Sequence, residues 1–400
     1  MRNILIKSDC LILFTLICIS SCDRSSIPDN HLSRMHSIVN STEINRIITD
    51  SVELELSQIS EELQIVRLET SESVILGNIY TVLAGDNHII IGTERNFYLF
   101  DRKGKYIRKL FLTGRGPEEF IAPIFSKVIL NDILYISDYQ KNKKYVYSFN
   151  LNTGIQNKIL KANEELITSL IPCHDSSLLT ITLKSISFKP PYSYSHGFTL
   201  IKQDLSGNIL SEIPLGVHTG KWPFLFSDFS ILKDKDGILI TSPECDSVLR
   251  LSGNELFPVW RNFFKAKYGD ELSEKKSLKV NMVNYSEDTI LLSESISEYR
   301  GNTRFWGKVH LLLMDRSSNK LSVLKRLYFK ENWFPINVLG LNLINNGKFA
   351  VVLQPADVDR ILRSKLYRES VLNIMFPDSS AVTRSISDFD NQFVLLGKFR

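Results

Sequence analysis

Three carboxylates in this 400-residue chain have the residue type and position for acid–base chemistry. Glu244, Asp246 and Glu294 each follow a short apolar run that is predicted to form an inner strand. Carboxylates carry out the proton transfers of glycosidases and lyases. Acidic residues are also common turn formers at strand ends, and that structural role is favoured here. The sequence therefore identifies no catalytic residue.

Patterns for metals, cofactors and nucleic acid are not found in the sequence. No Cys pair or His pair has zinc-site spacing, and neither a Walker-type nor a Rossmann-type phosphate loop is present. A Ser-His-Asp set cannot be picked out, because its members meet in space and not in sequence. The net charge is only +4, and Lys and Arg are interspersed with Asp and Glu. We therefore expect no metal, no cofactor and no nucleic-acid partner.

A second set of side chains is suited to binding. Flat aromatic rings with polar edges fit sugar rings and peptide side chains alike, and an arginine can be presented to an anion. For any single one of these residues, packing against neighbouring loops is the favoured interpretation; as a group, they are expected to form a binding surface. The candidate ligand-binding residues are Arg115, Tyr192, Tyr194, His196, Trp222, Arg304, Trp306 and Trp333.

The first 22 residues have the layout of a bacterial lipoprotein signal. Basic Arg2 and Lys7 precede an apolar run over 11–19, which is too short to span a bilayer as a stable helix. Ile19-Ser20-Ser21-Cys22 resembles a lipobox, in which the cysteine is lipid-modified before cleavage. An ordinary signal peptide with an incidental cysteine is the alternative. We predict a signal peptide over 1–21, lipidation at Cys22 and a flexible tether over 22–50.

The elements that must position the candidate residues follow from a repeat. From about residue 78, an apolar strand, a tight polar turn and a second strand recur, as in β-hairpins. A second hairpin with its own Gly, Asn or Asp turn follows each of the first five. The first turn occurs six times: Gly85-Asp86-Asn87, Asn131-Asp132, His174-Asp175-Ser176, Asp234-Lys235-Asp236-Gly237, Ser286-Glu287-Asp288 and Asn345-Asn346-Gly347.

The sixth repeat is incomplete, and this gap predicts how the fold closes. Its third strand, Gln392 to Leu396, is the last of the chain, and a strand-like run at Leu63 to Leu68 has no repeat of its own. Joining the two completes the sheet, and closure removes unpaired sheet edges. We predict an all-β domain over 51–400, a six-bladed β-propeller of four-stranded antiparallel blades whose last blade combines N- and C-terminal strands.

Two stretches carry a resemblance to a known family. Phe97 to Ile107 looks like an NHL-type or TolB-like blade hairpin, and it leads into Gly114 to Phe120. That segment resembles the G-x-G-P-x-E-[FY] signature of the six-bladed β-propeller lipoproteins common in polysaccharide-degrading bacteria. The resemblance implies a propeller fold and an envelope location, and it implies no activity. For Gly114 to Phe120 itself, a turn between blades is favoured over an anion-binding loop.

Long connections are expected on one side of the propeller and short turns on the other. The predicted long loops are Ser187 to Gly197, Gly216 to Phe224, Asn262 to Ser277, Ser297 to Gly307 and Glu331 to Pro335. A helix is predicted over Ala356 to Tyr367, and Cys173 and Cys245 are favoured as separate thiols.

Long loops on a rigid face usually carry binding residues. We therefore predict a lipid-anchored binding or scaffold protein of the cell envelope, at the outer membrane and facing the periplasm or the surface, with a glycan, peptide or envelope protein as partner. The alternative is a propeller enzyme, a glycan lyase or hydrolase or a peptide-modifying enzyme, with its site in the central channel.

Overall fold

The structure of the protein is a computed structural model. It describes residues 51–94, 96–112, 126–137, 145–161, 166–173, 175, 177–189, 193–220, 230–234, 237–242, 247–261, 276–285, 289–300, 303–315, 320–329, 334–335, 341–343, 348–363, 386 and 390–399. Across these ranges no helix is both long and apolar enough to cross a membrane.

The first three sheets each contain four antiparallel strands in a simple up-and-down order. Sheet 1 is β3 (Ile79–Ala84), β4 (His88–Thr93), β5 (Asn96–Asp101) and β6 (Tyr106–Leu112). Sheet 2 is β7 (Ser126–Leu130), β8 (Ile133–Ser137), β9 (Tyr145–Asn150) and β10 (Gln156–Lys161). Sheet 3 is β11 (Leu166–Pro172), β12 (Ser177–Lys189), β13 (Ser193–Asp204) and β14 (Ile209–Gly220).

The remaining described strands form three further sheets. Sheet 4 is β15 (Ser230–Asp234), β16 (Gly237–Ser242), β17 (Ser247–Ser252) and β18 (Glu255–Arg261). Sheet 5 is β19 (Lys276–Tyr285), β20 (Thr289–Arg300), β21 (Thr303–Asp315) and β22 (Lys320–Phe329), with β1 (Ser51–Glu55) parallel to β22 and β23 (Phe334–Pro335) beside it. Sheet 6 is β24 (Leu341–Leu343), β25 (Lys348–Leu353), β26 (Phe393–Phe399) and β2 (Ser60–Arg67).

Within the described ranges, two short helices accompany the strands. Helix α1 (Leu56–Ile59) joins β1 to β2, and helix α2 (Pro355–Arg363) follows β25. Helix α2 confirms the helix predicted from apolar spacing, although it begins one residue earlier than expected. Residues 364–367 of that prediction lie outside the described residues.

The tight turns confirm the hairpin prediction. Between β7 and β8, Leu130 is paired with Ile133, and the two turn residues Asn131 and Asp132 have φ of 50° and 56°. A two-residue turn with positive φ at both positions matches the twist of its strands, and Asn and Asp tolerate that conformation. Local turn chemistry thus determines where these hairpins reverse.

Sheet 6 draws its strands from both ends of the chain. Ile65 of β2 and Val351 of β25 are both paired with Leu395, because β26 lies between β2 and β25. The strand-like run at 63–68, which has no repeat of its own, is therefore a neighbour of the last strand.

The core consists of layers between consecutive sheets. Buried side chains join sheet 1 to sheet 2, sheet 2 to sheet 3, sheet 3 to sheet 4, sheet 5 to sheet 6 and sheet 6 to sheet 1. Strand β19 of sheet 5 contacts β15 and β16 of sheet 4. Since successive residues of a strand lie on opposite faces, each sheet can pack against two neighbours. Four-stranded antiparallel sheets packed in this way are the blades of a β-propeller.

Several segments predicted to be loops are strands. Ser187–Lys189 extends β12, Ser193–Gly197 begins β13, and Gly216–Gly220 ends β14. Ser297–Arg300 and Thr303–Gly307 likewise belong to β20 and β21, Lys276 and Ser277 begin β19, and Phe334 and Pro335 form β23. The loop prediction was wrong there because Ser, Thr and aromatic residues in these segments suit a strand whose hairpin partner continues beside it. What remains of the predicted loops lies outside the described residues.

Candidate functional site

Two long hairpins distinguish sheets 3 and 5. Strands β12 and β13 have 13 and 12 residues, and β20 and β21 have 12 and 13. The corresponding strands β16 and β17 of sheet 4, which follows sheet 3 along the chain, have 6 residues each. Backbone pairing in sheet 3 continues out to Lys189 opposite Ser193. These hairpins give the candidate residues a hydrogen-bonded backbone in place of the irregular loops expected.

Tyr194 and His196 lie in the extended part of β13. His196 is opposite Ser185 of β12 and His218 of β14, while Tyr194 is opposite Phe188 and Gly220. Alternation along β13 places both candidates on the sheet face of the buried residues Phe198 and Leu200. That face packs against Ile238 and Ile240 of sheet 4. Tyr194 and His196 therefore share the face that is turned toward sheet 4.

Arg304 and Trp306 lie in the extended part of β21. They are opposite Tyr299 and Ser297 of β20. Alternation along β20 places these pairs on the face of Leu291, which packs with sheet 6. Both pairs thus lie on the face turned toward the next sheet in the series, sheet 4 for β13 and sheet 6 for β21. The structure therefore does not bring the two pairs onto facing surfaces.

Glu294 lies within a strand and not at its end. It is in β20, opposite Val280 of β19 and His310 of β21. Alternation from Leu291 places Glu294 on the other face of sheet 5. The prediction that Glu294 follows an inner strand is therefore wrong, because β20 continues six residues further, to Arg300.

Other sequence-based candidates lie outside the described residues. These are Cys22, Arg115, Tyr192, Trp222, Glu244, Asp246 and Trp333, together with the signal and tether over 1–50, the 114–120 segment and Cys245. Cys173 is described and is a free thiol.

The tight turns between the first and second strands carry a polar network. Asn87 Nδ2 donates to Asp132 Oδ2 at 2.7 Å, and a hydrogen bond of 3.0 Å joins His88 Nδ1 to Asp132 Oδ1. Burial would raise the pKa of Asp132, but the hydrogen bonds from Asn87 and His88 and the charge of His88 outweigh it, and the pKa is lowered. Lys348 of sheet 6 reaches Asp86 in the same turn at 2.8 Å. The network joins sheets 6, 1 and 2, and its polar groups bind one another through these hydrogen bonds and this ion pair.

Two side chains of sheet 2 have acid–base properties changed by burial. Desolvation lowers the pKa of Lys127 on β7 and raises the pKa of Tyr135 on β8. Perturbed groups of this kind can mark active sites. Lys127 and Tyr135 are one register position apart in the paired strands, opposite Ile136 and Val128, and so lie on opposite faces of the sheet. They therefore do not form an acid–base pair. Where the structure describes side chains, no three His, Cys, Asp or Glu groups are placed to hold a metal ion.

The pairs His196–His218 and Glu294–His310 were missed by sequence reasoning. Each pair is separated in sequence and becomes adjacent only through strand register. The available signal was that the two members of a pair lie on either side of a predicted turn at similar distances from it. For His196 and His218 that turn is at 204–208. It is a weak signal, because one bulge shifts all the pairs beyond it.

Comparisons with known proteins give a fold relative and a family match. One solved structure is that of a Bacteroides fragilis protein for which export has been proposed, and it is 15% identical to this chain. The match has a TM-score of 0.54 and covers 88% of this chain and 98% of that one. At this identity the likeness shows the fold alone. The N-terminal domain of Nup159 (9% identity, 88% and 99% covered, TM-score 0.35) and YCF48 bound to D1 peptide (10%, 76% and 94%, 0.37) are more distant. The curated proteins gave no match. A family model described as "Domain of unknown function (DUF4934)" matches residues 39–398.

Proposed function

We propose a function for this chain, which belongs to the DUF4934 family. It is a β-propeller lipoprotein that is anchored in the cell envelope and acts as a binding or scaffold module. Its partner is a glycan, a peptide or an envelope protein. The observation that carries the proposal is the pair of long hairpins on sheets 3 and 5 of an otherwise short-stranded scaffold.

In this proposal residues 51–400 form a closed ring of six blades, sheets 1 to 6. The support is the series of contacts between consecutive sheets, which returns from sheet 6 to sheet 1, and the pairing of β2 with β26. A closed ring leaves no open sheet edge between its blades. It also holds each blade between two others, so that loops and hairpins are presented from a rigid base.

The binding surface is the side of the ring from which the second-to-third strand connections emerge. In an up-and-down sheet this connection lies at the opposite end from the two tight turns, so the hairpins of sheets 3 and 5 extend on one side. Ordering each extra residue costs about 1 kcal/mol or more of conformational entropy, and closing the ring does not require it. On this side the proposed ligand contacts are Arg115, Tyr192, Tyr194, His196, Trp222, Arg304, Trp306 and Trp333.

Anchoring is the second part of the proposal. Residues 1–21 are the signal peptide, Cys22 carries the lipid, and residues 22–50 are the tether. The basic start, the apolar run and the lipobox-like Ile19-Ser20-Ser21-Cys22 support this. The export proposed for the Bacteroides fragilis relative is consistent with the same location. The protein then lies at the outer membrane, facing the periplasm or the surface.

A shortened hairpin tests the binding surface. Lys184 and Gly197 are directly opposed, so residues 185–196 can be replaced by Asn-Gly, a two-residue hairpin turn. Affinity electrophoresis with a panel of soluble polysaccharides first identifies those that retard the wild-type chain. We expect the shortened variant to lose binding to these polysaccharides and to keep a melting temperature within a few degrees of wild type.

The matched control is Leu210→Ser, which changes an exposed side chain at the opposite end of the same sheet. This variant should keep both stability and binding. Retained binding in the shortened variant would remove the hairpin of sheet 3 from the binding surface. Loss of folding would show that its residues serve packing.

An enzymatic function is the alternative, and one observation favours it. Glu294 and His310 occupy directly opposed register positions in sheet 5, and Glu and His are residue types that often serve as general acid and base. Turnover of a polysaccharide by wild type, abolished in Glu294→Gln with the fold retained, would favour the enzyme over the binding module.

A further inference from the structure

Exposed hydrophobic residues of the described structure are concentrated at one kind of turn. Seven large hydrophobic residues are exposed, and five of them lie in the turn between the third and fourth strands, or within two residues after it, in sheets 1, 2 and 3. Single exposed aliphatic residues are common on protein surfaces, whereas these recur at matching positions of consecutive sheets. They are Ile107, Ile155, Leu205, Ile209 and Leu210, with exposed fractions from 38% to 58%.

The three turns are built alike, and this holds their exposed residues in place. Each follows an Asp or Asn whose Oδ1 accepts two backbone N–H groups of the turn, and these acceptors are Asp101, Asn150 and Asp204. Each turn also contains a glycine with φ between 81° and 90°. A turn with such hydrogen bonds is ordered before a partner arrives, so little conformational entropy is lost on binding.

In sheets 1 and 3, one of the exposed residues is the extra residue of a β-bulge. Ile107 lies between two residues of β6 that are paired with adjacent residues of β5, and it is itself not paired with β5. Leu210 has the same position in β14 relative to β13. Both are three residues after the glycine of their turn. Because a bulge can redirect a side chain, the same bulge in two blades indicates that exposure here is built into the fold.

Hydrogen bonds hold these turns at the same end of neighbouring sheets. The backbone N–H of Leu151, in the third-to-fourth turn of sheet 2, donates to the carbonyl oxygen of Asp132 in the first-to-second turn at 2.9 Å. Arg108 Nη2 of sheet 1 donates to the carbonyl oxygen of Leu151 at 2.7 Å. Since the first-to-second turns of sheets 6, 1 and 2 form one network, the third-to-fourth turns lie on that side as well.

The chain before residue 51 leaves the domain at the corresponding end of sheet 5. Strand β1 is parallel to β22, and Ser51 is paired with Val323, three residues after β22 begins at Lys320. The start of a fourth strand lies beside the third-to-fourth turn of its sheet. In the proposed ring, residue 51 is therefore on the side of the tight turns, opposite the long hairpins of sheets 3 and 5.

The outer strand of sheet 1 adds positive charge beside the exposed aliphatic residues. Residues 101–112, which cover the turn and β6, contain five basic residues and one acidic residue. Lys103, Lys105 and Lys109 are exposed, and β14 of sheet 3 carries the exposed Glu212. The positive charge is thus concentrated at sheet 1. Aliphatic side chains with lysines beside them are the combination with which proteins bind the surface of anionic membranes.

We propose that this turn surface, formed by the five aliphatic residues with Lys103, Lys105 and Lys109, rests on an anionic phospholipid bilayer. The aliphatic side chains enter the boundary between headgroups and acyl chains, and the lysine ammonium groups stay at the level of the phosphates. The inference rests on the proposed function, because the bilayer is the one that holds the proposed anchor at Cys22. The long hairpins then point away from the membrane.

Flotation with lipid vesicles tests the turn surface. The chain used is residues 23–400, which contain every described strand and helix and lack the apolar run and Cys22, which could bind vesicles by themselves. A cooperative thermal transition first establishes that this chain is folded. At low ionic strength we expect it to float with vesicles of phosphatidylglycerol and phosphatidylethanolamine, and to float less with phosphatidylcholine alone, because neutral vesicles do not attract the lysines.

Two variants remove the two parts of the turn surface. Ile107→Ser/Ile155→Ser/Leu210→Ser removes apolar contact, and Lys103→Gln/Lys105→Gln/Lys109→Gln removes charge. Each should weaken binding to the anionic vesicles by about tenfold or more, since apolar area and electrostatic attraction both contribute. The matched control is Ile75→Ser. Ile75 is 71% exposed and precedes β3, at the opposite end of sheet 1 from the turns, so this variant should bind as wild type does.

Four results would overturn the proposal. They are the absence of wild-type binding to anionic vesicles, unchanged binding in the folded serine variant, loss of binding in Ile75→Ser, or a wild-type dimer in light scattering that the serine variant dissociates. The last result would assign the surface to contact between two copies of the chain. A chain that binds vesicles and no polysaccharide would retain the turn surface while the proposed binding function fails, and the reverse result would remove only the turn surface.

Discussion

At the scale of single residues, Asn391 connects the last strand to the chain that precedes β3. The residue is only 2% exposed. Oδ1 accepts from the backbone N–H of Leu76 at 2.8 Å, and Nδ2 donates to the carbonyl oxygens of Glu69 at 2.6 Å and Val74 at 2.9 Å. One side chain therefore provides three hydrogen bonds to backbone groups more than 300 positions earlier in the sequence.

Replacing this residue should cost much of the protein's stability. Asn391→Ala leaves the Leu76 donor and two carbonyl acceptors without their partner, and a buried unsatisfied group costs about 1–3 kcal/mol. We expect the free energy of unfolding to fall by about 2–4 kcal/mol in urea titration. Gln392→Ala, which loses one 3.4 Å bond to Gly77, should change it by less than about 0.5 kcal/mol. Equal losses in the two variants would contradict the role of Asn391.

Asp175 and Lys202 give sheet 3 a residue-scale dependence on pH. The hydrogen bond from Lys202 Nζ, at 2.6 Å, and then that from Ser177 lower the pKa of Asp175 from 3.8 to about 2. Because the folded-state pKa lies below the unfolded value, the carboxylate stabilises the fold above pH ~4 and loses this contribution as pH falls toward 2. The Asp175 side chain is 55% exposed, so screening limits the contribution to less than about 1 kcal/mol.

Removing the lysine tests this dependence. Lys202→Met should be less stable than wild type at pH 6, and the difference in melting temperature should shrink between pH 4 and pH 2. Asp175→Asn, which has no carboxylate to protonate, should show no titration step of its own in that range. A difference between wild type and Lys202→Met that stays constant down to pH 2 would assign the effect to packing of the lysine stem.

At the scale of elements, β26 is the strand on which sheet 6 depends. It lies between β2 and β25 and buries Phe393, Val394, Leu395, Leu396 and Phe399. Alternate residues serve different layers: Phe393 and Leu395 pack with sheet 5 residues, and Val394 and Leu396 pack with sheet 1 residues. The strand therefore contributes to two core layers as well as to its own sheet.

Deleting residues 393–400 should destabilise the whole domain. The deletion exposes the edges of both β2 and β25 and removes side chains from two layers. We expect loss of cooperative thermal unfolding in near-ultraviolet circular dichroism. Lys398→Ala removes only exposed ion pairs, with Glu61 at 3.0 Å and Glu62 at 3.9 Å, so its melting temperature should match wild type. An unchanged melting temperature in the deletion variant would contradict the dependence on β26.

At the scale of the whole molecule, the proposed lipid anchor and the folded domain are separate parts of the chain. The described structure begins at residue 51, and the proposed anchor is at Cys22. Nearly 30 residues thus lie between the proposed lipid and the first strand. We therefore expect the domain to fold whether or not the proposed anchor is attached.

Lipidation is tested by labelling. Cys22→Ala should abolish incorporation of labelled palmitate and move the protein out of the membrane fraction or block its processing. Cys18→Ala is the matched control within the same segment, and it should keep both label and location. Continued labelling of the Cys22→Ala chain would exclude Cys22 as the lipid-accepting residue.

Much of the fold was determined by the sequence through local chemistry. Turn residues at Gly85-Asp86-Asn87 and Asn131-Asp132 fix where hairpins reverse, since few residue types tolerate the backbone angles required. Strand type follows from the alternation and β-branched content of the runs between turns. The missing fourth strand of the last repeat also indicated the partnership of β2 with β26, because an exposed edge beside a complete series of hairpins is unfavourable.

The candidate site could not be placed by the same rules, because register is a property of the assembled sheet. Near the turn, Gln203 is opposite Ile209, and an unbroken ladder from there would place Gly216 opposite His196. Register shifts at 198–199 and 202–203 instead bring His218 to that position. Each shift is one extra residue in β14, and the turn sequence does not encode where such a bulge falls. The sequence by itself therefore determined the hairpins and their order, while only the tertiary structure decided which residues of adjacent strands became neighbours.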